Sequence, residues 1–328
     1  MQTDYGSAIR LGFEYLLENH QECFVIGQGL WSPWYVGNTM TDLDSKFGRN
    51  RIIDTPVSES AVTGMAVGAA IAGLKPIVVH PRMDFMLYAT DAIVNEAAKW
   101  SSMTGGNSSA GLTIRSIINR GGEQGAQHSQ ALHSWFMHIP GLRVVMPYTP
   151  QDARDLLIAA ALSPDPVLYI DDRWLYESTQ VLPEVKPKLI HEFGPQIISE
   201  GDDLTIVAAG HSTKIAIETS MILRNSGISS EIIDLRVLNP LDSSVYVESV
   251  KRTGRLIVID GGWAPAGLSA EIIASAAEQI DPGSWLTKPM RFTIPFSPAP
   301  SGKSLEDSYY LRPEVISESI SLCIKYSN

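Results

Sequence analysis

One acidic residue, Glu59, stands where a short strand is followed by a helix of small, apolar residues. The helix carries Gly64 and Gly68. Each glycine costs a helix about 1 kcal/mol relative to alanine, so close approach of another backbone or of a ligand is expected there. A carboxyl group at the head of such a helix loses part of its hydration, which suits it to share a proton with a ligand. A simpler interpretation is that the charge of Glu59 only favours the start of the helix.

Apolar runs typical of strands alternate with helical patterns in the first half of the chain, and these elements must position Glu59. Such alternation is typical of a parallel sheet that is covered by helices. Strands are predicted at residues 23–26, 51–54, 76–79, 112–118, 142–146 and 167–170, and helices at 58–74, 89–100 and 150–162.

A second alternating unit follows a segment that contains Pro183, Pro187 and Pro195 and has no clear period. The prolines favour an extended linker. The predicted fold class is therefore α/β, with two doubly wound domains at residues 1–180 and 201–328 and a linker at 181–200. In the second domain, strands are predicted at residues 204–209, 230–235 and 256–259, and helices at 213–224, 243–251 and 268–280.

Composition excludes several classes of protein. The formal net charge is -11 and no Lys/Arg cluster stands out, so nucleic acid and anionic membranes are not expected as partners. The two cysteines, Cys23 and Cys323, lie far apart, which argues against a disulfide framework or a zinc site. The chain shows neither a basic and then apolar leader nor an apolar run of about 18 residues, so a cytoplasmic location is expected.

Several short segments agree in order and spacing with one known family. They lie at residues 54–59, 73–78, 84–99, 103–106, 127–130 and 140–145, followed in the second domain by 232–236 and 240–242. Together they resemble the beta subunit of thiamine-diphosphate-dependent 2-oxoacid dehydrogenases, the decarboxylating components of pyruvate and branched-chain dehydrogenase complexes. The resemblance implies a thiamine-enzyme pyrimidine-binding domain followed by a transketolase C-terminal domain.

The same resemblance implies roles for four residues. Glu59 would hydrogen-bond the pyrimidine ring of thiamine diphosphate and drive its tautomeric shift, which is general acid–base chemistry. Phe85 would stack on that ring, and Tyr88 would also contact the cofactor. His128 would assist the reductive acyl transfer to a lipoyl group. Without the resemblance, Phe85 would be interpreted as a core residue and His128 as a histidine hydrogen-bonded in a turn.

The chain lacks half of the expected cofactor site. A Gly-Asp-Gly motif usually holds Mg²⁺ and the diphosphate, but the run at 201–203 has no second glycine. The resemblance therefore implies an alpha subunit that binds Mg²⁺, in a heterotetramer of two alpha and two beta chains. A lipoyl acyltransferase core is a further expected partner. A potassium ion is also implied, bound through backbone carbonyls at Leu112, Ala160, Ala161, Ser163 and Asp165.

Departures from the family pattern cluster near the expected substrate pocket. A strand that usually ends in glutamate ends here in Val79 and His80, and the loop before His128 carries Arg120 and Glu123. Residues 116–119 replace a Gly-Pro-x-Gly run, and aromatic residues replace a Gly-rich stretch at 31–35. These changes predict an unusual 2-oxo acid or acyl acceptor. Two alternatives remain: the C-terminal half of a split transketolase, and a non-catalytic scaffold subunit.

Overall fold

The computed structural model of the chain describes residues 2–326 and divides into two compact units. The units are not contiguous in sequence. The first consists of the residues up to Arg120 together with Trp135–Phe193 and Leu238–Pro240. The second consists of Gly121–Ser134, Gly194–Val237 and the residues from Leu241 onward.

A seven-stranded sheet forms the centre of the first unit. Its strands are β2 (Cys23–Gly27), β4 (Ile52–Asp54), β5 (Lys75–His80), β6 (Thr113–Ile118), β7 (Arg143–Val145), β8 (Val167–Asp172) and β13 (Val237–Asn239). They lie in the order β13-β7-β8-β6-β5-β2-β4, and the neighbouring pairs from β7 to β4 are parallel. All residues of β6 and β8 are buried, as is typical of central strands in a parallel sheet that is covered on both faces.

Helices and short strands surround this sheet. A small antiparallel sheet pairs β1 (Gln2–Asp4) with β9 (Thr179–Val181), and the chain also forms the short strand β3 (Tyr35–Asn38). The helices are α1 (Tyr5–Asn19), α2 (Leu43–Phe47), α3 (Glu59–Ile71), α4 (Met83–Met86), α5 (Ala98–Met103) and α7 (Pro150–Leu162). A further helix, α6 (His133–Met137), begins in the residues of the second unit and ends in those of the first.

Local signals explain where the long helices begin. The side chain of Asp4 accepts a hydrogen bond from the backbone N–H of Ser7 at the start of α1. Thr149 does the same for Asp152 at the start of α7, where Pro150 occupies the first turn. Both are N-cap arrangements that satisfy a donor the helix leaves unpaired.

A five-stranded sheet forms the centre of the second unit. Its order is β10 (Gln196–Ser199), β12 (Ser230–Asp234), β11 (Leu204–Ala208), β14 (Leu256–Trp263) and β15 (Met290–Ile294), and only β10 is antiparallel to its neighbour. The helices are α8 (His211–Asn225), α9 (Ser244–Thr253), α10 (Leu268–Gln279), α11 (Lys303–Tyr309) and α12 (Pro313–Tyr326). One core cluster joins the sheet to α8 and α12 through Leu204, Ile206, Leu223, Ile232, Ile257, Ile316 and Ile320.

The predicted α/β class with helix-covered parallel sheets is confirmed, and two details differ from the expectations. Strand β10 lies within the segment expected to be a linker. The helix expected at 89–100 instead comprises a 3-10 turn (Leu87–Ala89), a π-helix (Ala92–Ala97) and α5. Periodicity cannot reveal such a widened turn, because it shifts the side-chain faces out of the 3.6-residue register. Within residues 2–326, no helix combines the length and the apolarity needed to cross a bilayer.

Candidate active site

A cleft opens at the carboxyl edge of the first sheet, where β2, β4 and β5 end side by side. Gly27 pairs with Asp54 on one side and with Val79 on the other. In open parallel sheets, ligands bind in the crevice outside the carboxyl ends of the strands. The cleft is lined by Gly27, Gln28, Thr55, Pro56, Ser58, Glu59, Val62, Val78, Val79, His80 and Pro81.

The backbone around Gly27 admits no side chain. A Cβ atom at Gly27 would lie 2.4 Å from the carbonyl oxygen of Val79. Beyond it, Gly29 adopts φ +72° and its N–H donates to a carboxylate oxygen of Asp54 at 2.6 Å. The N–H of Thr55 donates to the carbonyl of Gly27 at 2.9 Å. These bonds fix the two chain segments that form one wall of the cleft.

Glu59 is the first residue of α3 and lines this cleft in a half-buried position. The helix N-terminus stabilises its negative charge, and Val62, Val78 and Val79 supply apolar surface nearby. No group within residues 2–326 donates a hydrogen bond to its carboxylate. The side chain is therefore available to a ligand, although the expected loss of hydration is only partial in this chain alone.

His80 forms part of the same cleft and is buried. Its Nε2 atom lies 3.2 Å from the hydroxyl of Thr63. Burial lowers the pKa of His80 to about 4, so the ring is neutral at pH 7. The family pattern has a glutamate at the position of Val79. This chain therefore has an apolar side chain there, followed by the uncharged, hydrogen-bonding ring of His80.

The other two predicted cofactor contacts lie beyond the residues that line the cleft. Phe85 is half-buried in α4, which directly follows β5. Tyr88 is 74% exposed on the 3-10 turn after α4. Neither side chain is a lining residue of the cleft beside Glu59.

A wider cleft of about 440 Å³ adjoins the first and shares Gln28, Thr55 and Pro56 with it. The remaining lining residues are Gly29, Trp31, Tyr35, Asp54 and Val57. The Gln28 amide donates to the Tyr35 hydroxyl at 2.9 Å. The aromatic run at 31–35, noted in the sequence only as a departure, thus contributes two rings to the wall of this cleft. Sequence analysis placed His80 and the aromatic run near the expected substrate pocket, but it assigned no role to Gln28, Tyr35 or His80.

His128 belongs to the second unit, unlike Glu59 and Phe85. It is half-buried on the loop before α6, and its N–H donates to the carbonyl of Gly125 at 3.4 Å. Glu123 fixes the loop against the start of α11: its carboxylate accepts from the N–H of Lys303 at 3.2 Å, and its own N–H donates to Glu306 at 3.0 Å. The carboxylate of Glu123 therefore has a hydrogen-bond partner within the second unit.

Two arginines in the region that departs from the family pattern form buried ion pairs. Arg115 donates to Asp171 at 2.8 Å, and Arg120 donates to Asp172 at 2.6 Å. Arg120 also lies 5.0 Å from the ring centroid of Trp174. A buried arginine with a carboxylate partner supports the end of the sheet, and the expectation that Arg120 lies near the substrate pocket stays a prediction.

Three of the five carbonyl groups expected to bind potassium accept hydrogen bonds within the chain. The carbonyl of Leu112 accepts from the N–H of Val167 at 3.0 Å, and that of Ala160 accepts from the N–H of Ser163 at 3.2 Å. The carbonyl of Ser163 accepts from the ammonium group of Lys75 at 2.7 Å. The other two residues are Ala161, which is buried, and Asp165, which is partly exposed. In the described part of the chain, no group of three or more His, Cys, Asp and Glu side chains could hold a metal ion.

Comparison with known families and proteins shows what the chain is similar to. Residues 1–178 match the family model of the transketolase pyrimidine-binding domain, and residues 195–316 match that of the transketolase C-terminal domain. The mitochondrial pyruvate dehydrogenase E1 component subunit beta of Saccharomyces cerevisiae is 36% identical over 295 residues, which cover 89% of this chain and 80% of the yeast protein. The corresponding Rickettsia bellii subunit is 37% identical, with 84% of each chain covered.

A third relative carries a different name. The acetoin:2,6-dichlorophenolindophenol oxidoreductase subunit beta of Cupriavidus necator is 40% identical over 265 residues, covering 79% of this chain and 76% of that protein.

Solved structures agree in fold. A split-gene transketolase, described as an inactive beta4 tetramer, matches with a TM-score of 0.77 at 19% identity over 99% of both chains. Transketolase from Pichia stipitis matches with a TM-score of 0.70 at 16% identity, over 99% of this chain and 46% of that one.

Proposed function

The chain belongs to the family of beta subunits of thiamine-diphosphate-dependent 2-oxoacid dehydrogenases, and from this membership we propose that it works with an alpha subunit in oxidative decarboxylation of a 2-oxo acid. The acyl group would pass to a lipoyl group. One observation carries the proposal: the carboxylate of Glu59 lines a cleft at the carboxyl edge of the sheet and has no hydrogen-bond donor within residues 2–326.

In the proposed reaction, Glu59 holds a proton at the pyrimidine nitrogen of thiamine diphosphate. Its carboxylate lies at the head of α3 and lines the cleft beside Val62, Val78 and Val79, where a bound ring could reach it. When bound, thiamine diphosphate supplies the electron sink for decarboxylation. The neutral ring of His80 orients hydrogen bonds in the same cleft without adding charge.

The diphosphate and Mg²⁺ are assigned to the alpha subunit. Mg²⁺ requires oxygen ligands in near-octahedral geometry, and the sequence lacks the motif that supplies them. Phe85 would stack on the pyrimidine ring. Tyr88 would contact the cofactor from its exposed position, so its ring becomes covered only on assembly. His128 would assist acyl transfer, supported by the loop that Glu123 fixes.

The outer face of α3 supports the assignment of a partner chain. Met65 is 58% exposed there, and Val57 just before the helix is 70% exposed. Cβ atoms added at Gly64 and Gly68 would meet nothing within 4 Å. A helix that presents glycine and exposed apolar side chains outward leaves room for close approach of another chain. We assign this face to the alpha subunit in an assembly of two alpha and two beta chains.

Further partners follow from the same assignment. The second unit exposes Phe296 and Leu305, which supports its use in self-association of the beta chain or in docking to a lipoyl acyltransferase core.

The substrate has a second candidate class. The relative named as an acetoin oxidoreductase subunit, together with the aromatic wall of the wide cleft, favours testing a hydroxyketone such as acetoin beside 2-oxo acids. The sequence expectation of an unusual substrate or acceptor motivates the same test.

Reconstitution tests the proposal. The chain would be co-expressed with the product of the neighbouring gene and purified as a complex. Turnover would be measured with pyruvate, branched-chain 2-oxo acids and acetoin, with dichlorophenolindophenol as electron acceptor. Reduction of dichlorophenolindophenol that depends on one of these substrates and on thiamine diphosphate supports the proposal. Ketol transfer between sugar phosphates would favour the split transketolase instead, and a stable complex without any turnover would favour the scaffold.

A further inference from the structure

Lys75 is the first residue of β5, and its side chain extends to the loop that follows α7. The ammonium nitrogen donates to the carbonyl oxygen of Ser163 at 2.7 Å, and the lysine is half-buried. The contact joins residues 88 positions apart in the chain. It connects the start of β5 with the segment that leads from α7 into β8.

Gly111 provides the room for this arrangement. A Cβ atom added at Gly111 would lie 2.8 Å from the carbonyl oxygen of Ser163, 2.9 Å from that of Pro164 and 2.9 Å from the Lys75 ammonium nitrogen. All three atoms therefore surround one point beside the backbone of Gly111. A side chain at this position would displace the ammonium group or the carbonyls.

We propose that the ammonium group of Lys75 is the resident cation of this loop and occupies the position at which the family resemblance places a potassium ion. The chain therefore binds no monovalent metal ion there. An ammonium group carries the same single charge as potassium and donates up to three hydrogen bonds to carbonyl oxygens.

The surrounding groups agree with a cation that is already in place. The carbonyls of Leu112 and Ala160 accept backbone hydrogen bonds, as described above. The carboxylate of Asp165 accepts from the guanidinium of Arg143 at 2.8 Å. A second positive charge beside the ammonium would meet like-charge repulsion.

Burial acts against the charge of Lys75. It lowers the pKa of this lysine, whereas the nearby Cys23 and Glu22 act in the opposite direction. The hydrogen bond to Ser163 replaces part of the hydration that the ammonium group loses.

Thermal unfolding of the full-length chain tests the proposal without any need for activity. Midpoints would be compared in KCl, NaCl and choline chloride at equal ionic strength. The wild-type chain is expected to unfold at the same temperature in all three salts. The Lys75→Ala variant removes the ammonium and leaves the carbonyls, so its midpoint falls by several degrees in NaCl and recovers selectively in KCl. Lys75→Met fills the space without charge, and its lowered midpoint does not recover.

The control is Lys186→Ala, because Lys186 is exposed and lies outside this loop. A wild-type midpoint that rises in KCl relative to NaCl would overturn the proposal, since a metal site would then exist beside the lysine. Equal loss of stability for Lys75→Ala in NaCl and KCl would overturn it as well, because the loop would then be no monovalent-cation site. If Lys75→Ala does not fold, the wild-type midpoints in KCl and NaCl still test whether a metal site exists beside the lysine. Lys75→Gln then replaces Lys75→Ala in the test of whether the loop binds a monovalent cation.

Discussion

At the scale of single residues, Glu59 and His80 share one cleft but differ in their surroundings. Glu59 has no donor within the described residues and stands at a helix N-terminus, whereas His80 is buried against the hydroxyl of Thr63. The first arrangement leaves the carboxylate of Glu59 accessible to a ligand. The second keeps an imidazole neutral at the floor of the cleft, because burial lowers its pKa to about 4.

The lowered pKa of His80 predicts an acid-dependent loss of stability. Below the ordinary histidine pKa of 6.5, the unfolded chain binds a proton that the folded chain does not bind until about pH 4. The free energy of unfolding therefore falls as the pH falls through this window, by up to about 3 kcal/mol from this group. His80→Gln retains a hydrogen-bonding side chain without titration and should remove this part of the fall, as measured by urea unfolding between pH 7 and pH 4.

The matched control for this prediction is His191→Gln, because His191 is exposed. It should leave the pH dependence of unfolding unchanged. Parallel curves for wild type and His80→Gln across the whole window would show that His80 is not held neutral by burial.

At the scale of secondary structure, α3 has two faces with different tasks. One face buries Val62, Thr63 and Ala66 against the first unit. The other exposes Met65 and leaves the space beside Gly64 and Gly68 open. This helix is only weakly amphipathic because its outer face carries small residues. A helix whose outer face remained in solvent would carry charged side chains there.

Substitutions at Gly68 separate folding from assembly. Gly68→Ala should preserve or raise the stability of the free chain by up to about 1 kcal/mol, because alanine favours the helix and its Cβ meets nothing within 4 Å. Gly68→Trp should leave the free chain folded but prevent formation of the complex with the alpha subunit. Circular dichroism reports folding, and co-purification reports assembly.

Glu218→Trp, on the exposed side of α8, serves as the bulky control and should assemble normally. A Gly68→Trp chain that still forms the complex would show that the alpha subunit does not bind this face.

The sequence predicted the regular elements more completely than it predicted the site. The helix at Pro150–Leu162 appears with the expected bounds because a capping threonine and a proline mark its start. The prediction for Glu59 rests on the ordered family motifs, since a carboxylate before a glycine-rich helix alone favours the simpler interpretation of a charge that starts the helix. The contributions of His80 and Tyr35 could not be foreseen, since they depend on which strand ends and loops lie side by side. The inclusion of Gly121–Ser134 in the second unit depends on packing between residues distant in sequence.

At the scale of the whole molecule, the chain combines two α/β units, and we propose that its cofactor site is completed only by an alpha subunit. The first unit supplies the cleft with Glu59, and the second carries His128 on a loop fixed by Glu123 and α11. The cytoplasmic location expected from the composition stays a prediction.

The proposed division of the cofactor site between two subunits predicts that the isolated chain does not bind the cofactor. Calorimetric titration of the isolated chain with thiamine diphosphate and Mg²⁺ should give no measurable heat of binding, because the proposal assigns the ligands for the metal to the alpha subunit. The purified complex should bind the cofactor, and EDTA should abolish that binding. Tight binding by the isolated chain would contradict the assignment of Mg²⁺ to a partner.

The most direct measurement is turnover of the reconstituted complex that carries Glu59→Gln, with Glu218→Gln as a control on an exposed helix position. General acid–base groups contribute about 10²–10⁴-fold to the rate, so kcat should fall by at least about 100-fold while assembly and the unfolding midpoint stay unchanged. The control should keep full turnover. An assembled Glu59→Gln complex that turns over at the wild-type rate would contradict the role assigned to this carboxyl group.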